Sequence, residues 1–278
     1  MTTAEFRYAA SPKDAKTYDT QKLRDEFLID PVFSGDEIKL TYSMYDRYIV
    51  GGAMPVKKDL VLETIPYLKS ENFLDRREMG VINVGATGKV IVDGVEYTLH
   101  KKEALYIGKE SKEVIFSASV EGQPLFYINS APAHKKFPTK KVGKDEAEII
   151  PLGDDKSANK RILNKLIVNS IVETCQLQMG LTELVEGNIW NTMPAHTHER
   201  RMEAYFYFDL AEGHAVCHFM GQPQETRHIF MHNHQAVLSP EWSIHSGAGT
   251  SNYSFIWGMA GENLDYGDMD VCPPNEMK

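Results

Sequence analysis

Apolar and polar positions alternate in short runs along most of this chain, and long helical periodicity is scarce. Helical spacing is found over residues 11–27, where Asp14, Lys16 and Lys22 take the polar positions, and over 56–68. Between them and beyond, the pattern predicts strands at 37–43, 47–50, 79–85, 89–93, 97–100, 104–107, 114–118 and 125–129. Gly and Asp separate these runs, and the Asp93-Gly94 pair suits a two-residue hairpin turn because both residues tolerate positive φ. Strands resume at 165–168, 176–184, 202–210, 215–220, 228–231, 236–238 and 253–259. Many short strands with turn signals between them predict an all-β sandwich or barrel.

The segments 95–116 and 226–247 share one rhythm of strand, polar turn and short strand, which suggests an internal repeat. The expectation is a mainly β protein of two tandem β-barrels with a few short helices. Its domains fall at 1–140 and 161–278, joined by a charged Pro/Gly/Asp/Ser-bearing linker at 141–160. Only the second domain carries clustered histidines.

Composition narrows the partners. Thirty Lys and Arg against 39 Asp and Glu leave a net charge of −9 over 278 residues. That balance argues against nucleic acid or anionic lipid as the main partner, since both select clustered cations. A small acidic substrate needs only one or two local cations. Cys175, Cys217 and Cys272 are few, odd in number and without CxxC spacing, so neither a disulfide scaffold nor a thiolate zinc site is expected. With no apolar leader at the N-terminus and no apolar run of membrane-spanning length, the expected location is the cytoplasm, away from any membrane.

Seven of the ten histidines fall between 196 and 234, and His245 follows. His196 and His198 are two apart, so on a strand both imidazoles face the same side. Glu203 comes five residues after His198, and a turn between them would return its carboxylate to that face. His245 arrives from a distant strand. Three imidazoles and one carboxylate suit Zn²⁺, Fe²⁺, Mn²⁺ or Ni²⁺. If Glu203 points inward, alternation turns Tyr205 and Tyr207 inward too, and sets Met202, Ala204, Phe206 and Phe208 on an opposite face too apolar for solvent. Tyr205, Tyr207 and His228 are candidates for catalysis. Arg200 and Arg201 are candidates for binding an acidic substrate, with Arg161, Lys165 and Arg227 behind them. His232 and His234 read as a turn.

The HxH, Glu and later His resemble the cupin superfamily. NTMP-x-HTHERRME at 191–203, with DRYIVGGAMP (46–55), FLDRREMGVINVG (73–85), MGQPQETRHI (220–229) and SPEWSIHSGAGT (239–250), is more specifically similar to the 4-deoxy-L-threo-5-hexosulose-uronate ketol-isomerases of bacterial pectin breakdown. Trp242 and Gly249 depart from the generic cupin pattern without conflicting with the isomerase string. The resemblance implies a two-domain cupin fold and an aldose–ketose isomerase acting on 5-dehydro-4-deoxy-D-glucuronate. It further implies one zinc ion per subunit, held by His196, His198, Glu203 and His245, and a homohexamer. Three other classes share these residues: a cupin dioxygenase, a sugar-binding or regulatory cupin, and a barrel with a purely structural zinc.

Overall fold

Alternating side chains wall off an apolar interior between two sheets in the first part of the chain. The computed structural model describes residues 1–119 and 121–278. It divides into two compact units. The first comprises Met1–Arg7, Pro31–Glu148 and Leu166–Met179, and the second Tyr8–Asp30, Ile149–Lys165 and Gly180–Lys278.

In the first unit a seven-stranded sheet runs in the order Thr2–Arg7, Ile38–Ser43, Ile49–Ala53, Phe126–Pro132, Arg77–Asn83, Ala104–Ile107, Lys140–Val142. A four-stranded sheet runs Leu60–Val61, Val114–Ser117, Gly88–Val92, Val95–Leu99. Every second residue of the central strands joins one core: Ile38 and Leu40, Met79 and Val81, Leu105 and Ile107 from the larger sheet, with Val90, Val92 and Phe116 from the smaller.

The second unit repeats this order strand for strand. Its larger sheet runs Glu148–Leu152, Arg161–Ile167, Gln178–Leu184, Ser254–Gly261, Arg201–Phe208, Gln235–Ser239, Leu28–Ile29. Its smaller sheet runs Trp190–Asn191, Ser246–Gly249, Val216–Gln222, Glu225–Met231. The segments 95–116 and 226–247 occupy equivalent places, so the repeat suspected from their rhythm is a repeat of topology. Arg77–Asn83 and Arg201–Phe208 are equivalent strands: Met79 lies opposite Ile107 in one, Glu203 opposite Ser239 in the other.

Four features differ from the sequence pattern. Residues 11–27 form two helices, Pro12–Ala15 and Thr20–Phe27, because Ser11 and Asp19 each cap a separate helix start with a side-chain oxygen. Residues 56–68 are no helix; they hold the short strand Leu60–Val61 and a 3-10 turn at Pro66–Leu68. Asp36 captures the backbone N–H groups of Val56 and Lys57, and Pro66 has none to donate within a helix. The stretch expected as a linker supplies an edge strand to each large sheet, Lys140–Val142 and Glu148–Leu152; edge positions tolerate its charges. Residues 8–30 belong to the second unit, where Leu28–Ile29 closes the sheet beside Gln235–Ser239. No helix of the described residues is long and apolar enough to cross a membrane.

On the outer face of the first unit's large sheet, fully buried Glu78 ties down the segment from Leu166 to Met179. Its carboxylate accepts the backbone N–H groups of Cys175, Gln176 and Leu177, each at 2.8 Å, and the Tyr106 hydroxyl at 2.7 Å. Glu78→Ala strands three amide donors, and each orphaned buried donor costs roughly 1–3 kcal/mol. Urea unfolding should therefore show a loss of about 3 kcal/mol or more; a loss below about 1 kcal/mol would show that the carboxylate does not tether this segment.

Candidate metal centre

The second unit converts the same interior into a polar site. His196 lies in the strand Ala195–Thr197, and His198 follows two residues on, on the same side. A turn closed by Arg201 N–H donating to His198 O reverses the chain into Arg201–Phe208, which carries Glu203 back toward the imidazoles. His245 directly precedes the strand Ser246–Gly249 and enters from the smaller sheet. Its Nδ1 meets the Ser239 hydroxyl at 3.2 Å, which turns Nε2 toward the other three groups.

One ligand atom from each of His196, His198, Glu203 and His245 lies within 4.8 Å of all the others. His245 Nε2 is 3.0 Å from His196 Nε2 and 2.9 Å from Glu203 Oε2, and His198 Nε2 is 3.4 Å from that same oxygen. His198, Glu203 and His245 are buried, at 2%, 4% and 1% exposure, and His196 is half-buried. Burial, then the neighbouring His245, pushes His196 and His198 down to about 2. Both imidazoles are thus neutral at ordinary pH, the form that donates a lone pair to a metal. Close-packed nitrogens around one carboxylate oxygen, away from water, fit a divalent cation of borderline softness.

His196, His198 and Glu203 face a cavity of about 410 Å³, whose lining does not include His245. Apolar side chains, among them Leu163, Phe255, Trp257 and Met259, form much of its wall, and Arg161 and Lys165 supply cations. Tyr205 also lines it, fully buried, with its hydroxyl 2.9 Å from Thr192 Oγ1. Burial, then the Glu203 charge, pushes that phenol up, so it is a neutral hydroxyl.

The other sequence candidates are placed elsewhere. Tyr207 lies deeper, its hydroxyl 2.8 Å from Nδ1 of buried His218. His228 is exposed, edge-on to Phe230, and does not line the cavity. Arg200 and Arg201 do not line it either. Arg200 donates to Asp268 from Nε and Nη2, at 2.8 and 2.6 Å, and to Asp270 at 2.8 Å. Arg201, 1% exposed, donates from Nη2 to the Asp268 carbonyl at 2.9 Å. Both arginines therefore hold the C-terminal segment, whose Tyr266, Met269 and Val271 form cavity wall and whose strand Asp270–Cys272 pairs with Ala195–Thr197. That strand escaped the sequence reading because three residues amid Gly, Asp and Pro carry no strand pattern. Arg161 and Lys165 had a legible signal: with Leu163 they alternate along Arg161–Ile167 onto one face.

Comparison with known proteins follows the same lines. The model of the KduI/IolB family matches residues 41–271. A 4-deoxy-L-threo-5-hexosulose-uronate ketol-isomerase of Formosa agariphila is 61% identical over 275 residues, covering 99% of this chain and 98% of the relative. Proteins of the same name from Bacteroides fragilis and Escherichia coli are 56% and 55% identical, with at least 99% of every chain covered. Among solved structures, an IolB-like protein of Salmonella typhimurium superposes with a TM-score of 0.64 at 13% identity, over 95% of this chain and 91% of that one. An oxalate decarboxylase of Lactobacillus farciminis gives 0.55 at 9% identity, over 82% and 80%. These two likenesses establish the fold.

Two measurements address the site. Elemental analysis of the purified protein should find about one divalent ion per chain, and His198→Ala and Glu203→Ala should each hold under about a tenth of that, since removing a ligand lowers affinity at least as far as the 10–100-fold seen for outer partners. Full metal content in both variants would reject the cluster as a metal site. Hydrogen exchange should be faster over residues 268–272 in Arg200→Ala than in the parent, with the sheet interior unchanged; equal exchange would deny Arg200 its role as a clasp.

Proposed function

The chain belongs to the KduI/IolB family, and from that premise we propose that it catalyses the reaction named for its relatives, the ketol isomerisation of 4-deoxy-L-threo-5-hexosulose uronate in uronate and pectin catabolism. Written out, 5-dehydro-4-deoxy-D-glucuronate becomes 3-deoxy-D-glycero-2,5-hexodiulosonate. The observation that carries this reading is the buried His₃Glu cluster opening onto a cavity with cations in its wall. Such a cavity suits a small anionic polyol.

His196, His198, Glu203 and His245 are the residues that would hold the ion, and the region 161–278 is the metal-binding cupin domain. The ion is zinc, one per subunit, and the protein is a cytoplasmic homohexamer. The donor set accepts zinc among several divalent ions, and the resemblance to the isomerases supports zinc and the assembly alike. The cluster's chemistry supports metal binding in general. A divalent ion bound there supplies Lewis-acid polarisation of neighbouring oxygens, worth several kcal/mol in general.

The shift removes a proton from C2 and returns one to C1 through an enediol. Tyr205 contributes a neutral hydroxyl inside the cavity, positioned by Thr192 and able to donate to a substrate oxygen that gains charge. The apolar wall limits water around that oxygen, which strengthens the hydrogen bond. The Arg200 and Arg201 clasp keeps the C-terminal wall closed against the site. The first domain, with Met79 where the second has Glu203, serves as scaffold.

Proton NMR in D₂O with 5-dehydro-4-deoxyuronate tests this. The expected result is conversion to the 2,5-diketo acid with deuterium on the terminal carbon that was C1 of the substrate, abolished by chelation and restored by metal. Folded, metal-loaded protein that leaves the substrate untouched would overturn the proposal; consumption of dioxygen during turnover would replace it with an oxygenase.

A further inference from the structure

We infer that Arg161, with Lys165 beside it on the same strand face, receives the carboxylate of the substrate and so selects uronic acids over neutral sugars. This rests on the isomerase reading for the identity of the substrate, but on the cavity alone for its charge.

Arg161 and Lys165 stand four residues apart on the strand Arg161–Ile167, and both line the cavity faced by His196, His198 and Glu203. Neither arginine next to the HxH lines that cavity. Arg200 is neutralised by Asp268 and Asp270, and Arg201 points its Nη2 at a backbone carbonyl outside the cavity lining. Arg161 has no such counter-charge. It makes no ion pair among the described residues; its Nη1 donates to the Asn159 backbone carbonyl at 2.8 Å and to the Asn159 side-chain oxygen. These bonds use one nitrogen and fix the plane of the guanidinium. Nε and Nη2 remain as a parallel pair of donors, the geometry that meets both oxygens of a carboxylate.

The surroundings sharpen the case. Arg161 is half-buried against an apolar wall, where burial lowers its hold on the proton. A cation kept in such a place without an acid is unfavourable until an anion arrives. Lys165 holds its ammonium 4.6 Å from the centre of the Tyr266 ring, a cation–π contact that keeps the second charge at the cavity wall. In a chain of net charge −9, the Arg161 guanidinium creates a local field that an anionic substrate would otherwise not find. The carboxylate of the substrate is C6, at the far end of the carbon chain from C1 and C2. Binding it on the Arg161 strand directs the reacting carbons toward the histidine cluster in the same cavity.

The test uses the full-length, metal-loaded protein and the variants Arg161→Gln, which keeps a donor for Asn159, and Arg161→Lys, which keeps charge without the fork. With 5-dehydro-4-deoxyuronate, KM should rise roughly 10–100-fold in Arg161→Gln and less in Arg161→Lys, with melting temperature and kcat little changed. Calorimetric binding of D-galacturonate should weaken by a similar factor, while that of neutral D-galactose stays the same. Unchanged KM in Arg161→Gln, or a parent protein that binds D-galacturonate no better than D-galactose, overturns the inference. A parent that isomerises with Arg161 dispensable keeps the isomerase reading and discards the carboxylate site. A parent that binds D-galacturonate through Arg161 without turnover does the reverse.

Discussion

Polar groups withdrawn from water must find partners, and the interior of the second unit holds three imidazoles and a carboxylate with very few. Ser239 meets His245 from one side, and among the described residues the other polar contacts of these side chains are with one another, with nitrogen facing nitrogen at 3.0 Å. Two neutral imidazole nitrogens at that distance repel unless a proton or a cation lies between them. Protonation is opposed by burial, which pushes His196 and His198 down to about 2. A shared divalent cation would satisfy every one of these groups at once and would also balance Glu203. The rest of the unit follows from that demand: a turn tight enough to bring Glu203 back over the HxH, a small sheet that delivers His245, and a C-terminal segment clasped across the outside.

The first unit shows what the same topology does without that demand. Its sheets have the same order, yet Met79 occupies the place of Glu203, and its interior is the apolar core of Ile38, Val81, Leu105 and Phe126. Both equivalent strands begin with a buried arginine, but the two are treated differently. Arg77 donates to Ser130 through Nε and Nη2 and to the Arg47 carbonyl. Arg201 leaves Nε and Nη1 without a partner among the described residues, two positions before Glu203 on the same strand face. Its charge and that of Glu203 act on each other at short range. A topology that packs well with either filling is free to keep one copy as scaffold and give the other to chemistry.

Much of this was legible in the sequence because it rests on alternation. The strand pattern, the repeat of 95–116 in 226–247 and the grouping of His196, His198, Glu203 and His245 all depend on period two and on one turn. What escaped reading depends on partners distant in sequence. Nothing local says that Leu28–Ile29 pairs with Gln235–Ser239, or that Lys140–Val142 and Glu148–Leu152 are sheet edges rather than a linker. Residues 56–68 have helical spacing, but the backbone donors at 56 and 57 are taken by Asp36, twenty residues away. Tyr207 illustrates the limit within the site, since alternation predicts which side of a strand a residue faces, not how deep between the sheets it sits; His228 lies on the exposed face of its strand with Phe230.

The arginines make the same point in terms of charge. Adjacency to the HxH made Arg200 and Arg201 attractive substrate ligands, yet Arg200 is paired with Asp268 and Asp270, and Arg201 is buried with its Nη2 on the Asp268 backbone carbonyl. Arg200 holds Asp268 down to about 2, so that pair stays ionised and mutually occupied across the pH range in which the protein would work. A guanidinium with two carboxylates has little to offer a third. Arg161 is 35 residues before His196 in the chain but shares its cavity, with donors that no acid of the described residues has claimed. For a small anionic ligand the informative cation is the one the fold leaves uncompensated at the cavity wall, and the sequence shows only where cations are, not which of them have been neutralised.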